Sequence, residues 1–271
     1  MRPDSDPHVL SADEIRRGLS TTRIGRQITV LAETDSTNTF ALDFAESQGA
    51  GQCDGAVILA EFQTAGRGRL GRKWLSPRGA GLHMTVLLSM PRTEFLHGRL
   101  MMATAIAVLE GILDSTDVEP TIRWPNDLYV GERKLCGILI ETRSQANDTL
   151  VVAVGIGVNC LQHESHFPPE LRGRATSLEM ESRQPIHRAA VVRAILVRLD
   201  SLLAHADSVD DSRLARRWLE SSSDLNARVT LIQDGERYTG RIVEVHPVSG
   251  LILQQDNGVC RHFEPATTSR E

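Results

Sequence analysis

No apolar run in this chain approaches the roughly 18 consecutive residues that suggest a membrane-spanning helix. The opening stretch MRPDSDPHVLSADEIRRGLS holds no apolar segment of the kind that marks a secretory leader, so neither export nor a membrane anchor is expected. Cysteine is sparse: Cys53, Cys136, Cys160 and Cys260 are scattered without a C-x-x-C pair. That spacing argues against a zinc site or a disulfide framework and reads as reduced thiols in a cytoplasmic protein. A broad basic face is missing too, since 35 acidic residues outnumber 30 Lys and Arg and leave a net charge of −5. Nucleic acid, which calls for such a face, is therefore disfavoured as a partner. Neither internal repeats nor low-complexity tracts occur. With 271 residues, the chain can bury the core of one large domain or of two unequal ones.

What is present is a regular alternation of strand and helix signals. After a polar lead-in with one short helical turn near SADEIRRGL, RQITVLAETD reads as extended chain. A helix is predicted from about Thr37 to Ser47, capped by Asp35 or Ser36. GAVILAEFQ and LHMTVLLSM are apolar runs typical of buried strands. Residues 98–115 show apolar positions at i, i+3, i+4 and i+7, the pattern of a helix packed on a core. PTIRWP, KLCGILIET and TLVVAVGIGVN are further strands, the first two joined by NDLYVGER as a hairpin through Gly131. QPIHRAAVVRAILVRLDSLLAHA is a long helix opened by Pro185, and DSRLARRWLESSS is a second. From Asp224 onward short β segments alternate with the turns QDGER, HPVSG and QDNG, the texture of a small all-β module.

One stretch resists a purely structural reading. EFQTAGRGRLGRKWLSPRGAGL packs three glycines and four cations between Gly66 and Lys73. Gly66–Gly71 fits G-x-G-x-x-G after a strand, yet Pro77, Gly79 and Gly81 forbid the helix that a dinucleotide fold needs next. The P-loop frame from Gly66 ends in Arg72-Lys73 and lacks the hydroxyl for magnesium. A solvated basic loop would not need interleaved glycines, which permit close backbone approach to a ligand. The loop therefore reads as an anion-binding segment. Between about Thr64 and Gly81 it is expected to be mobile when empty, because ordering costs roughly 1–2 kcal/mol per residue and its like charges repel.

Five motifs in order, DSTN (35–38), GRGRLGR (66–72), RWPND (123–127), KLCGILIE (134–141) and GIGVN (155–159), resemble those of the biotin protein ligases. The resemblance spans most of residues 24–180. One departure is Arg123, where the family usually has lysine. Another is the absence of room for the winged helix-turn-helix of regulatory members, which implies the monofunctional type. The implied fold is α+β, a mixed or antiparallel sheet flanked by helices in a class II synthetase-like catalytic domain, plus a small C-terminal β-barrel module. The implied division is a lead-in at 1–23, a catalytic domain at 24–222 and the β module at 223–271.

By the same resemblance the chain is an ATP-dependent ligase that makes biotinyl-5'-AMP and passes biotin to a lysine of a biotin carboxyl carrier protein. ATP with Mg²⁺ and biotin are the implied small molecules, and the carrier domain of a biotin-dependent carboxylase is the implied partner. Specific DNA and membranes are not expected, and a monomer or weak homodimer is. Lys134 and Arg69 are the implied catalytic residues. Ser36, Thr37, Asn38, Gln63, Arg67, Gly68, Arg69 and Lys134 are the implied biotin contacts. Arg72, Trp74, Asn126, Asp127 and Asn159 fall on the nucleotide side. No dedicated metal ligands are implied; magnesium arrives with ATP, and Asp127 is the carboxylate through which it could touch the protein. The chemistry suits these residue types: a carboxylate attacking a polyanion meets a repulsion of about 4 kcal/mol at ~4 Å and an effective dielectric of ~20. Arginine forks neutralise it while holding both groups in line. The neutral side chains near Ser36 can both donate to and accept from a ureido ring. Trp124 reads as core, and His163 and His166 as loop residues. The rival readings are a lipoate–protein ligase, which shares fold and adenylate chemistry, and a biotin-responsive regulator without enzymatic activity.

Overall fold

A computed structural model describes residues 9–125, 127–204, 211–246, 250–265 and 267–271. After a short helix α1 (Ala12–Arg16), seven strands build the main sheet. They are β1 (Ile28–Leu31), β2 (Val57–Ala60), β3 (Gly81–Pro91), β4 (Thr121–Arg123), β5 (Asp127–Val130), β6 (Arg133–Ser144) and β7 (Thr149–Asn159), in the order β1-β2-β3-β7-β6-β5-β4. Only β1 and β2 run parallel; the other pairs are antiparallel. β3 and β7 pair over their full length at the centre, which explains why both are apolar on nearly every residue.

The two faces of that sheet have different fates, and the period of two separates them. Met84, Val86 and Leu88 of β3, with Val152, Val154 and Ile156 of β7, join a core under helix α3 (His97–Ser115). Helix α3 is buried on almost every side because α5 (Arg188–Ala204) and α6 (Asp211–Glu220) lie against its outer face. On the opposite face Leu87, Val151 and Ala153 meet Ala41, Leu42 and Ala45 of α2 (Thr37–Gln48). Those apolar side chains stop halfway along the strands. Beyond them the same face continues as Thr85 and His83 on β3, and as Gly155 and Gly157 on β7. The α2 helix thus covers only part of its face and leaves the rest available as the floor of a cavity.

A second, wholly antiparallel sheet follows a short helix α4 (Leu178–Glu181), α5 and α6. Its strands are β8 (Arg228–Gln233), β9 (Glu236–His246), β10 (Gly250–Gln255), β11 (Cys260–Phe263) and β12 (Thr268–Arg270), in the order β11-β10-β9-β8-β12. The β8–β9 hairpin turns through Asp234 and Gly235, both at positive φ (53° and 81°), the two-residue geometry whose twist suits adjoining strands. Val229, Leu231, Ile242, Leu253 and Phe263 belong to the same hydrophobic cluster as the main core. Buried Asp224 pins the junction: it accepts the Trp124 backbone N–H at 2.6 Å and pairs with Arg270.

Three local expectations change. NDLYVGER is not a plain connection, because residues 127–130 form β5 and the hairpin lies between β5 and β6 at Gly131. The long helix begins at Arg188 rather than Pro185, and residues 205 and 206 of the segment read as helix lie outside the described residues. Ser36 stands at the N-cap of α2 without a side-chain cap bond; Gln63 Oε1 takes the Thr37 N–H instead. No helix among the described residues is long and apolar enough to cross a membrane.

The α3–α5 crossing depends on Gly111. A Cβ there would stand 2.6 Å from Ile195 N and 2.7 Å from its Cα. Gly111→Ala should lower stability by about 1–3 kcal/mol despite alanine's better helix propensity, since backbone cannot rotate away as a side chain can. Urea unfolding checks this: the midpoint should fall with an unchanged slope, and a raised midpoint would show the crossing to be slack.

Candidate active site

Part of the cavity floor is made by residues without side chains. Across the sheet, Thr85, Gly155 and Leu139 form one row of facing residues, and His83, Gly157 and Gly137 the next. A Cβ on Gly155 would lie 2.5 Å from Asn38 Oδ1, so the Asn38 amide rests where a side chain would otherwise stand. The Trp74 indole lies on the neighbouring row, where a Cβ on Gly157 would be 2.8 Å from its Cε2 and one on Gly137 3.1 Å from Cζ3. The cleft, about 890 Å³ and open to one side, falls within the roughly 300–1,000 Å³ usual for small-molecule sites.

One end of it is neutral and densely hydrogen-bonded. Ser36, Thr37 and Asn38 are buried at the start of α2. Gln63 reaches them because the β1–β2 pairing runs on past the strand ends, through Thr34–Gln63 and the Thr64 N–H to Thr34 carbonyl bond. Its Oε1 accepts from Thr37 N (2.8 Å) and Thr37 Oγ1 (3.1 Å). The Thr85 hydroxyl lies 2.9 Å from Thr37 Oγ1 and 2.6 Å from Asn38 Oδ1. Asn38 Nδ2 donates to Glu141 Oε2 (2.9 Å) and to the Leu139 carbonyl (3.2 Å). Buried His83 completes this end, its pKa pulled down to about 4 by burial and then by the nearby Arg188 guanidinium.

The other end is cationic. The glycine-arginine segment folds back on itself as a small hairpin: Gly68 N–H donates to the Arg72 carbonyl (2.7 Å) and Trp74 N–H to the Gly66 carbonyl (2.9 Å). Its tip carries Leu70 and Gly71 at positive φ (54° and 73°), the left-handed region that an L side chain enters only at a cost. The expectation of a loop with little reason to pack thus meets a different picture, because partners distant in sequence take up two of its cations. Arg67 pairs with Glu141 at 2.8 Å and donates to Thr39 Oγ1 at 3.0 Å. Arg69 donates to the backbone carbonyls of Thr268 (2.9 Å) and Pro265, tying the hairpin to the second sheet. Burial lowers the Arg69 pKa from its ordinary value; Asp127 opposes that effect and Arg72 adds to it. Arg72 and Lys73 are exposed.

Lys134 and Asp127 form an ion pair at 2.7 Å on neighbouring strands, with Lys134 Nζ 5.9 Å from the Trp74 ring centre. Asn159 also reaches the cavity, but its amide is spoken for: Nδ2 donates to the Thr176 carbonyl (2.9 Å) and Oδ1 accepts from Gln162 (3.2 Å). Asn126 lies outside the described residues. The remaining residues singled out from the sequence, Ser36, Thr37, Asn38, Gln63, Arg67, Gly68, Arg69, Arg72, Trp74, Asp127 and Lys134, all line this one cavity. Among the described residues no group of three or more His, Cys, Asp or Glu is placed to hold a metal ion.

Not anticipated from the sequence are His83, Ser269 and Arg270 in the cavity lining, and Thr85 and Glu141 in the hydrogen-bond network beside it. A signal for His83 and Thr85 existed: two polar residues at alternate positions of an otherwise apolar strand, LHMTVLL. Glu141 likewise follows the apolar run GILI within β6. For Ser269 and Arg270 there was none, since only folding brings residues near the end of the sequence to this cavity.

A family model described as the biotin/lipoate A/B protein ligase family matches residues 30–159. The bifunctional ligase/repressor BirA of Bacillus subtilis is 35% identical over 191 residues, 70% of this chain and 58% of that protein. The biotin–[acetyl-CoA-carboxylase] ligase of Mycobacterium tuberculosis is 35% identical over 159 residues, covering 56% of this chain and 55% of its own length. This chain therefore spans less than two thirds of those curated relatives. Among solved structures, the biotin protein ligase of Aquifex aeolicus in complex with biotin and ATP superposes with a TM-score of 0.76 at 27% identity, covering 91% of this chain and 99% of that one.

Gly157→Ala tests the floor directly. The added methyl should lift the half-exposed Trp74 indole off the sheet at a cost of under about 1 kcal/mol, because the ring can yield toward the cavity. Tryptophan emission should shift in the variant and stay put when the same change is made in a Trp74→Phe background. Identical spectra for Gly157→Ala and the parent would mean that the ring does not rest on this glycine.

Proposed function

We propose, from the chain's belonging to the biotin/lipoate A/B protein ligase family, that it activates biotin with ATP and transfers it to a lysine of a biotin carboxyl carrier protein. The observation that carries this reading is the polarity of a single cavity, neutral and hydrogen-bonding at the α2 end and cationic at the Lys134 end. Biotin has the matching asymmetry, a neutral ureido ring at one end and a carboxylate at the other. Ser36, Thr37, Asn38 and Gln63 satisfy the ring, and Arg67, Gly68, Arg69 and Lys134 receive the carboxylate end. Arg72, Trp74, Asn126, Asp127 and Asn159 take the nucleotide side, with magnesium entering as part of the MgATP substrate.

In the first step a carboxylate oxygen of biotin attacks the α-phosphorus of ATP, the bond to the bridging oxygen breaks, and pyrophosphate leaves. Lys134 neutralises charge on both reacting groups, and its pairing with Asp127 holds the ammonium between them rather than in solvent. In the second step the carrier lysine amine attacks the acyl carbon of the mixed anhydride, and AMP departs with the bonding pair. The folded-back hairpin supports a role in keeping water from that anhydride.

The lipoate reading is less well served. A dithiolane ring offers no hydrogen bonds to the polar end of the cavity at Ser36–Asn38 and Gln63, where a ureido ring offers both donors and an acceptor.

A direct assay separates the two: incubate the protein with ATP, a carrier domain and either labelled biotin or labelled lipoate, and follow label on the carrier. Label from biotin alone is expected, and label from lipoate alone would overturn the assignment. Lys134→Ala should lower pyrophosphate release about 10²–10³-fold while the protein stays folded, the usual cost of removing an electrostatic stabiliser. Wild-type release by that variant would remove Lys134 from the mechanism.

A further inference from the structure

We propose that His83 is a positioning residue for the neutral end of the cavity, holding the Gln63 amide in the one orientation that lets it fix Thr37. The identity of the ligand met there rests on the functional reading above; the orientation argument does not. An amide can present either end, but the Thr37 backbone N–H can only donate, and it lies 2.8 Å from Gln63 Oε1. The oxygen is therefore committed to Thr37, with the Thr37 hydroxyl as a second partner at 3.1 Å. The amide nitrogen must then face the other way, toward His83 Nδ1 at 3.5 Å. That nitrogen has only protons to offer, so Nδ1 must keep its lone pair and the ring proton must sit on Nε2. A ring protonated at Nδ1 would set donor against donor in a buried site. Turning the amide over to relieve this would set NH₂ against the Thr37 N–H. Either way the bonds that seat Thr37, and beyond it Thr85 and Asn38, are lost.

The surroundings keep the ring in that state. His83 sits in the middle of β3, opposite Ala60 on β2 and Gly157 on β7, and is 2% exposed. Two residues away on the same face, a Cβ on Gly81 would stand 3.1 Å from both Cε1 and Nε2, so the absent side chain leaves room for the imidazole. Nε2 has no hydrogen-bond partner among the described residues, so within the protein the tautomer is set from the Nδ1 side. The charged groups around it are Arg188 of α5, which opposes protonation, and Glu61 just after β2, which is paired with Arg188 at 2.9 Å. Thr37 and Asn38 of α2 and Gly157 of β7 carry no charge.

Two measurements on the full chain test this. In histidine ¹⁵N spectra of the ligand-free protein, His83 should show an unprotonated Nδ1 and a protonated Nε2, unchanged from pH 8 to about 5. A proton on Nδ1, or titration near the ordinary value, would overturn the proposal whether or not the protein ligates biotin. In the ligation assay His83→Leu should raise KM for biotin roughly threefold to tenfold, the worth of one lost hydrogen bond, while kcat and KM for ATP hold. His83→Asn, whose carbonyl oxygen can stand where Nδ1 does, should recover near-parental KM. In a Gln63→Ala background His83→Leu should add nothing further, since its effect runs through Gln63. Additive losses, or failure of His83→Asn to recover, would show that the ring acts by packing alone.

Discussion

Everything at this site depends on three glycines that leave part of one sheet face bare. Sheet faces are ordinarily covered by a helix or by the side chains they carry. Here α2 covers part of a face with Ala41, Leu42 and Ala45, and then Gly155, Gly157 and Gly137 leave bare backbone. Backbone there is already satisfied by its β-ladder, so it can sit beneath a ring or a ligand without an unpaired polar group. The missing Cβ atoms set the depth of the cavity. The same absence lets the Asn38 amide approach the strand closely enough to reach the Leu139 carbonyl.

On that floor, charge and neutrality are kept apart but not independent. Glu141 Oε2 accepts from Asn38 Nδ2 at 2.9 Å and from the Arg67 guanidinium at 2.8 Å. One carboxylate oxygen is thus shared by the neutral end and the cationic hairpin. An anionic ligand that draws Arg67 toward itself must compete with Glu141, and any loosening of that pair is felt at Asn38. The half-exposed setting makes the exchange affordable, because a surface ion pair is worth only about 0–1 kcal/mol.

The second sheet closes the arrangement from the far side. Arg69 Nη2 donates to the Pro265 and Thr268 carbonyls, while Asp224 holds both the Trp124 backbone and Arg270. The anion-binding hairpin and the segment leading to Asp127 are therefore both anchored to residues beyond 220. Asp224 has no exposed surface, so losing either partner would leave a buried carboxylate short of a bond.

Much of this was legible in the residues alone. Apolar runs such as GAVILA and LVVAVGIGV marked strands of the main sheet, the 3.6-residue period marked α3, and interleaved glycine and arginine marked an anion site. Ser36–Asn38, Gln63 and Lys134 stood out as candidates because five short motifs followed one another in a known order. Those features are local, and local chemistry decides them. What only tertiary structure decided is which side chains share a partner. The glycines at 137, 155 and 157 read equally well as weak points in strands until the register of β3, β7 and β6 aligns them in rows. Gln63 caps α2 in place of Ser36 because β1–β2 pairing brings it there from 26 residues away. Arg69 meets carbonyls 196 and 199 residues further on, a contact with no trace in the spacing of either segment. The physical reason is common to all three: hydrogen bonds and close approaches of a few ångströms are set by how sheets align and pack, and sequence separation carries no information about that distance.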